Sequence, residues 1–412
     1  MSAFSIPLSG LAASSSALNV IGNNLANLNT DGFKSEGLNF ADVFNQMQGI
    51  SGNGDPIQIG SGVQIAGQTA NFSNGSVTST GIASNMALQG NGFFVVANGS
   101  QDSFTRAGNF TVNTLGQICT PQGQLVMGYP AVNGVVSTSA TLSPITVNQA
   151  ANIPGVATSS FQMSTNLNAS AAVGDTYSEP ITVYDSLGTS HALTIQYTNA
   201  GPNSWNYSIS VPSADTGGTG TPTPVSTGTL TFNSSGQLTS PTGSVTGITI
   251  SGLTDGAAPL NLTWNLNGSS GSPLVTQQNA TSTTSATSQN GYGVGTLTGY
   301  SVLPDGTVQG EFSNNQTLAL GQVAIASFAN VQGLQQGGGN DYQATFASGA
   351  PVIGQAGAAG NGSITGGAVE SSNVDLSTEF ADMIVAQQGY EANAKVLTTL
   401  DQVSQATIQM MT

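Results

Sequence analysis

Charge is what this 412-residue sequence has least of: only 5% of its residues are Asp, Glu, Lys or Arg, against about 25% in typical soluble domains. Three side chains are basic, Lys34, Arg106 and Lys395, against 19 acidic ones, for a formal charge of −16. So few cations cannot neutralise a nucleic-acid backbone, which excludes nucleic acid as a partner, and they cannot hold the chain to an anionic bilayer. Cysteine is almost absent too. Cys119 alone forms no internal disulfide, and with a single histidine, His191, it cannot complete a zinc site of the usual four-ligand kind. No apolar run approaches the roughly 20 residues of a membrane span, so no membrane insertion is expected. The stretch Met1 to Thr30 contains no Lys or Arg and so lacks the basic start of a secretory signal. The expectation is export, if it occurs, without a cleaved signal peptide.

Catalytic chemistry finds little to work with. His191 sits in an alternating strand pattern with Leu193 and Ile195 and has no orienting partner visible in the sequence, so it reads as structural. Cys119 has no nearby cation to activate it and reads as a small buried residue. The glycine cluster at 337-GGGNDY-342 lacks the lysine of a phosphate loop. No catalytic residue, cofactor or metal ligand is assigned.

What the chain does have is 38% hydrophobic residues and 54 glycines, enough for two or more packed domains with polar, uncharged surfaces. Near the start, Phe4, Leu11, Leu18 and Leu25 recur every seventh residue, with Leu8 and Ile21 between them. That is an amphipathic helix with a narrow seam, and it should end in the Asn, Thr, Asp and Gly cluster of Asn27 to Gly32. A second helix is predicted from about Asp375 to Met411, on the order of 50 Å long, with Phe380, Met383, Tyr390, Val396, Leu400 and Val403 as its seam. Ser371 to Asp375 offers its cap. Between about 70 and 350, short Val, Ile, Thr and aromatic runs alternate with Gly, Asn, Pro and Ser turns, as in a hairpin turning at Asp185 to Gly188. The fold class is mainly β with terminal α-helices. Two terminal helices with a β body between them should pair with each other or with neighbours, a recipe for filament assembly.

The run 9-SGLAASSSALNVIGNNLANLNTDGFK-34 resembles the signature of the bacterial flagellar axial family, with Asn23, Asn24, Ala26, Asn27, Asn29, Thr30, Gly32, Phe33 and Lys34 where that motif has them. Mid-helix asparagines are unfavourable enough that their amides should make specific hydrogen bonds, in subunit contacts or in positioning the linker that follows. The segments 88-LQGNGFFVV-96, 104-FTRAGNFTVNTLGQICTPQGQLVMGY-129 and 369-VESSNVDLSTEFADMIVAQQGYEANAKVLTTLDQV-403 are similar to axial proteins in general. Length, 183-VYDSLGTSHALTI-195 and the run from Gly291 to Leu334 resemble the hook subunits within that family. The resemblance covers about half the chain and both ends.

The resemblance implies a non-enzymatic structural subunit that polymerises into a curved, flexible tube, the flagellar hook, a universal joint passing torque from motor to filament. A distal rod subunit is the alternative. It implies terminal helical polymerisation segments at 1–30 and 372–412, linkers at 31–70 and 357–371, an inner β domain at 71–148 and 287–356, and an inserted outer β domain at 149–286. By the same resemblance its partners are copies of itself, the distal rod, the hook cap, the hook–filament junction protein and the flagellar type III export apparatus, and its place is the extracellular flagellum. Phe40 and Phe44 form a candidate export-recognition segment.

Overall fold

The computed structural model describes residues 4–43, 46–50, 56–99, 101–148 and 152–411. It is mostly β, with one helix at each end, in agreement with the fold class read from the sequence. Helix α1 spans Ser5–Ala26 and tolerates Pro7 because the first turn has no intrahelical use for that N–H. Its last turn closes on Asn27, whose backbone N–H reaches the carbonyls of Asn23 and Asn24. Helix α2 spans Leu376–Met411. Asp375 caps it, accepting hydrogen bonds from the backbone N–H groups of Ser377 at 2.8 Å and Thr378 at 2.9 Å. These two donors hold the Asp375 carboxyl below its usual range.

The chain divides into two compact units, one formed by 1–148, 299–311 and 317–412, the other by 149–298 and 312–316. In the first unit, the strand Phe93–Asn98 lies between Leu125–Val132, Thr317–Ser327 and Gln101–Thr105, antiparallel to each. Its run Phe93 to Ala97 is buried on both faces, which is why this segment reads as continuously apolar. Phe94 and Val96 enter a core with Met86, Ile118, Val308 and Ile325, and Phe93 and Val95 enter another with Phe104, Ala324 and Tyr342.

The second unit contains two five-stranded sheets. Thr176–Tyr184, Ser190–Gly201, Ser204–Val211 and Thr223–Phe232 follow one another as antiparallel neighbours, and the turn at Asp185 to Gly188 joins the first two. Along Ser190–Gly201, His191, Leu193, Ile195, Tyr197 and Asn199 point inward and the residues between them face outward, the period of two expected of a sheet with one covered face. Trp205 and Trp264 are both buried in this unit's core, and Trp264 stacks on Phe161 with ring centroids 6.2 Å apart.

The stretch 31–70, expected as a linker, contains two antiparallel strand pairs. Glu36–Asp42 pairs antiparallel with Val63–Ala70, and Gln46–Ile50 with Pro56–Ile59. The first pair has no fully buried position, so its side chains carry no alternation of apolar and polar residues to read.

Because the chain's two tryptophans both lie in the second unit, tryptophan fluorescence reports that unit alone. Leu193→Ala, at a fully buried position, should lower its stability by about 2–5 kcal/mol. Denaturant unfolding followed by fluorescence checks this, and a loss under about 1 kcal/mol would mean that Leu193 does not sit in the core described.

Candidate assembly face and the clamp behind it

α1 and α2 run antiparallel, and small residues let them approach. A Cβ on Gly10 would lie 2.7 Å from the Asn393 side chain, and one on Gly389 would lie 3.2 Å from Ser14 Oγ. At the other end, Asn24 Nδ2 donates to Glu379 Oε1 at 2.9 Å. The contact therefore follows Gly10, Ser14 and Asn24, close to but not along the heptad of Phe4, Leu11, Leu18 and Leu25. Those four residues, with Ile21, are half-buried, and Leu8 is 58% exposed. On α2, Met383 and Leu400 are half-buried, whereas Phe380, Tyr390, Val396 and Val403 are exposed. No residue of α2 from Leu376 to Met410 is buried.

Asn24 is 1% exposed and satisfies both ends of its amide. Besides Glu379, Nδ2 donates to the Glu36 carbonyl at 2.9 Å, and Oδ1 accepts from the Glu36 backbone N–H at 3.0 Å. One side chain thus ties α1 to α2 and to the start of the hairpin. Burial pushes the Glu379 carboxyl above its usual range, the Asn24 bond opposes this, and Asp382 and Asp375 add to the rise. The other asparagines act locally: Asn27 Nδ2 donates to the Asn23 carbonyl at 2.9 Å, Thr30 Oγ1 donates to Asn27 Oδ1 at 3.1 Å, and Asn29 is exposed.

Beyond α1 the chain turns through Gly32 at φ 69°, and a Cβ there would meet the Ala107 nitrogen at 2.5 Å, so both conformation and space require glycine. Gly32 donates its N–H to the Glu370 carbonyl at 2.7 Å, and Phe33 is buried beside it. Lys34 then enters the interior, 1% exposed. Its Nζ lies 2.6 Å from Glu370 Oε1 and donates to the Ser73 carbonyl at 2.8 Å. Glu370 Oε2 faces Arg106 at 3.4 Å, and Oε1 also accepts from the Gly75 N–H at 2.8 Å. Arg106 donates to the Gly90 carbonyl at 2.8 Å and lies over the Phe93 ring, 5.4 Å from its centroid. Burial lowers the pKa of both bases, and the Glu370 charge works against it. Two of the three basic residues in the chain thus share one buried carboxylate. Asn373 closes the same junction, accepting from the Ser35 N–H at 2.7 Å and donating to the Asn71 carbonyl at 2.8 Å.

Lys34, Arg106 and Glu370 all lie in segments whose motifs the sequence displays, yet nothing local reveals that they meet. The reading of His191 as lacking a partner is corrected: Nε2 lies 2.9 Å from Asp185 Oδ2 and Nδ1 3.0 Å from Asp215 Oδ2. One carboxylate comes from a turn six residues before it and the other from the short helix Ser213–Thr216, 24 residues after, and the strand pattern around His191 carries no trace of them. Burial alone would lower the His191 pKa; the two carboxylates raise it on balance. Phe40 is 45% exposed on the strand Glu36–Asp42, where it helps line a groove of about 630 Å³ with Ala13, Ala17, Val63 and Val385. Phe44 lies outside the described residues.

Four family models match the chain in order. Residues 6–34 match the flagella basal body rod protein, 87–183 the flagellar hook protein FlgE/F/G D1 domain, 156–292 the flagellar basal body protein FlaE D2 domain, and 365–410 the flagellar basal body rod FlgEFG protein C-terminal region. The flagellar hook protein FlgE of Escherichia coli is 36% identical over 97% of this chain and 98% of its own length. Its counterpart in Salmonella typhimurium is 38% identical over 97% and 98%, and that of Treponema pallidum 33% over 96% of each. The crystal structure of Helicobacter pylori flagellar hook protein FlgE2 superposes with a TM-score of 0.51, covering 71% of this chain and all of that one at 16% identity, a likeness of fold.

Glu370→Gln leaves two buried cations without their carboxylate and should destabilise the first unit by about 3–5 kcal/mol. Lys34→Met should cost less, because Arg106 still faces Glu370. Urea unfolding followed by circular dichroism ranks the two, and the reverse order would remove Glu370 from the centre of the junction.

Proposed function

The chain belongs to the flagellar hook protein family and is a structural subunit of the hook; on that premise we propose that it polymerises through the open faces of α1 and α2 into a curved tube that carries torque as a universal joint. The observation that carries this reading is α2 itself. A helix with Phe380 and Tyr390 over 40% exposed and Val385 and Val403 over 55% exposed leaves apolar surface in water along its whole length. Neighbouring copies laid against it would remove that surface from solvent, at about 25 cal/mol per Å². The seam residues of α1, with Leu8 outermost, supply the matching surface.

In this reading the terminal segments 1–30 and 372–412 line the inner tube, and 31–70 with 357–371 link them to the inner β domain of 71–148 and 287–356. The stretch 149–286 is the inserted outer domain of this reading, and its separate core of Trp205, Trp264 and Tyr197 supports it as a self-contained unit. Asn24 and the Lys34–Glu370–Arg106 clamp make the linker a rigid transmission between helices and β body, suited to passing torque. The distal rod, the hook cap, the hook–filament junction protein and the type III export apparatus are its further partners, with export leaving the N-terminus uncleaved and Phe40 available for recognition. The subunit does no catalysis. Among the described residues no helix is long and apolar enough to cross a membrane.

Phe380→Asp and Val403→Asp each place a charge where assembly would desolvate it, at a cost of several kcal/mol, while in the monomer both positions face water. Each variant should fold with unchanged unfolding midpoint and form no tubes on seeding, as read by electron microscopy. Tubes of normal yield from both would place the assembly face elsewhere.

A further inference from the structure

The stretch 149–298 contains five acidic residues, Asp175, Glu179, Asp185, Asp215 and Asp255, and no Lys or Arg. Three of the five converge on the chain's single histidine. Asp185 opens the turn between the strands Thr176–Tyr184 and Ser190–Gly201; its Oδ1 accepts from the N–H groups of Leu187 at 2.8 Å and Thr189 at 2.9 Å, which turns Oδ2 toward His191. Asp255 does the same from another loop, with Oδ1 accepting from the Ala257 N–H at 3.0 Å and Oδ2 lying 4.0 Å from His191 Nε2. One ligand atom each from Asp185, His191 and Asp255 lie within 4.8 Å of one another. His191 is 6% exposed and the Asp185 side chain fully buried, whereas Asp255 is 25% exposed and leaves an entry path.

The fourth residue decides what the other three can hold. Asp215 Oδ2, 3.0 Å from Nδ1, is placed to take the ring's Nδ1–H and to turn Nε2 toward Asp185 and Asp255, where it can ligate once its own proton leaves. The buried histidine supplies at most one positive charge to three carboxylates, in a stretch without Lys or Arg. A cation where Asp185, Asp255 and Nε2 meet would offset the charge that the ring leaves uncompensated. A proton on Nε2 serves Asp185 at 2.9 Å but leaves Asp255, at 4.0 Å, unreached. A metal ion drawn in to ligand distance serves all three.

We propose that Asp185, His191 and Asp255 form a binding site for a divalent cation of the zinc class, with Asp215 as the carboxylate that orients the histidine. One nitrogen and two oxygens suit zinc, which takes mixed N and O ligands in fours, better than calcium, which wants six to eight oxygens. The fourth position falls to water. The ion would fasten the 253–257 loop and the short helix Ser213–Thr216 to the hairpin at Asp185, a staple in a unit that has no disulfide. No motif spacing announces the site, because His191 and Asp255 lie six and 70 residues after Asp185.

The test is zinc chloride titrated into the chelator-stripped full-length chain, by calorimetry, with the tryptophan-fluorescence melting temperature as second readout. One zinc per chain is expected, with a rise in melting temperature and at least about 100-fold preference over calcium. Asp215→Asn should weaken binding by about 10–100-fold, as outer carboxylates do, and His191→Gln should abolish it. Asp255→Asn, at a partly exposed position where folding is not at stake, should weaken binding by at least about tenfold and remove the thermal shift. Absence of saturable binding to the unsubstituted chain would mean that a proton alone neutralises the cluster. Undiminished affinity in Asp255→Asn and His191→Gln would place the metal elsewhere. Either result overturns the proposal.

Discussion

The carboxylate of Glu370 is fully buried with two cations against it, and the organisation of the first unit depends on that fact. Lys34 arrives from the end of the N-terminal motif, Arg106 from the strand region behind Phe104, and Glu370 from the last strand before α2. A buried ion pair is seldom a net source of stability, because desolvating each charge costs several kcal/mol. Its consequence here is positional: Glu370 cannot leave without stranding both bases, so the chain's beginning and end are held to one register. Gly32, Asn24 and Asn373 then fix the backbone around it with hydrogen bonds. The two helices emerge from this junction already side by side.

Scarcity of charge gives the clamp its specificity. In a chain with only three Lys and Arg residues, two are spent on one interior site, and Lys395 on α2 is the third. That leaves Lys395 as the one Lys or Arg for surface ion pairs, and the side chains that the terminal helices expose include apolar and amide groups. Contacts between such groups respond weakly to salt. The inserted unit carries the same economy further, with its only histidine gathered among three aspartates and its remaining surface supplied by Ser, Thr, Asn and Gly.

The sequence carries the parts of this fold that are periodic or local. A mainly β body with helices at both ends follows from seven-residue and two-residue spacings, and the N-terminal motif is legible because it is a contiguous run. The face by which α1 meets α2 was not legible, since it is made of Gly10, Ser14 and Asn24, residues that a search for apolar periodicity passes over. The hairpin of Glu36–Asp42 and Val63–Ala70 has no fully buried position and so leaves no covered face to read in the sequence. Lys34 and Glu370 lie 336 residues apart, and the partners of His191 sit in a turn and a short helix. Each of these is a tertiary meeting of polar groups, on which local propensity is silent.

The central claim is that the clamp presents the two terminal helices as a prepared assembly surface. A helical reconstruction of tubes grown from this chain, at a resolution that resolves side chains, tests it directly. The account predicts that residues 376–410 are covered by neighbouring copies while Lys34, Arg106 and Glu370 keep the contacts they have in the single chain. Tubes in which α2 still faces solvent, or in which the three charged side chains have parted, would contradict it.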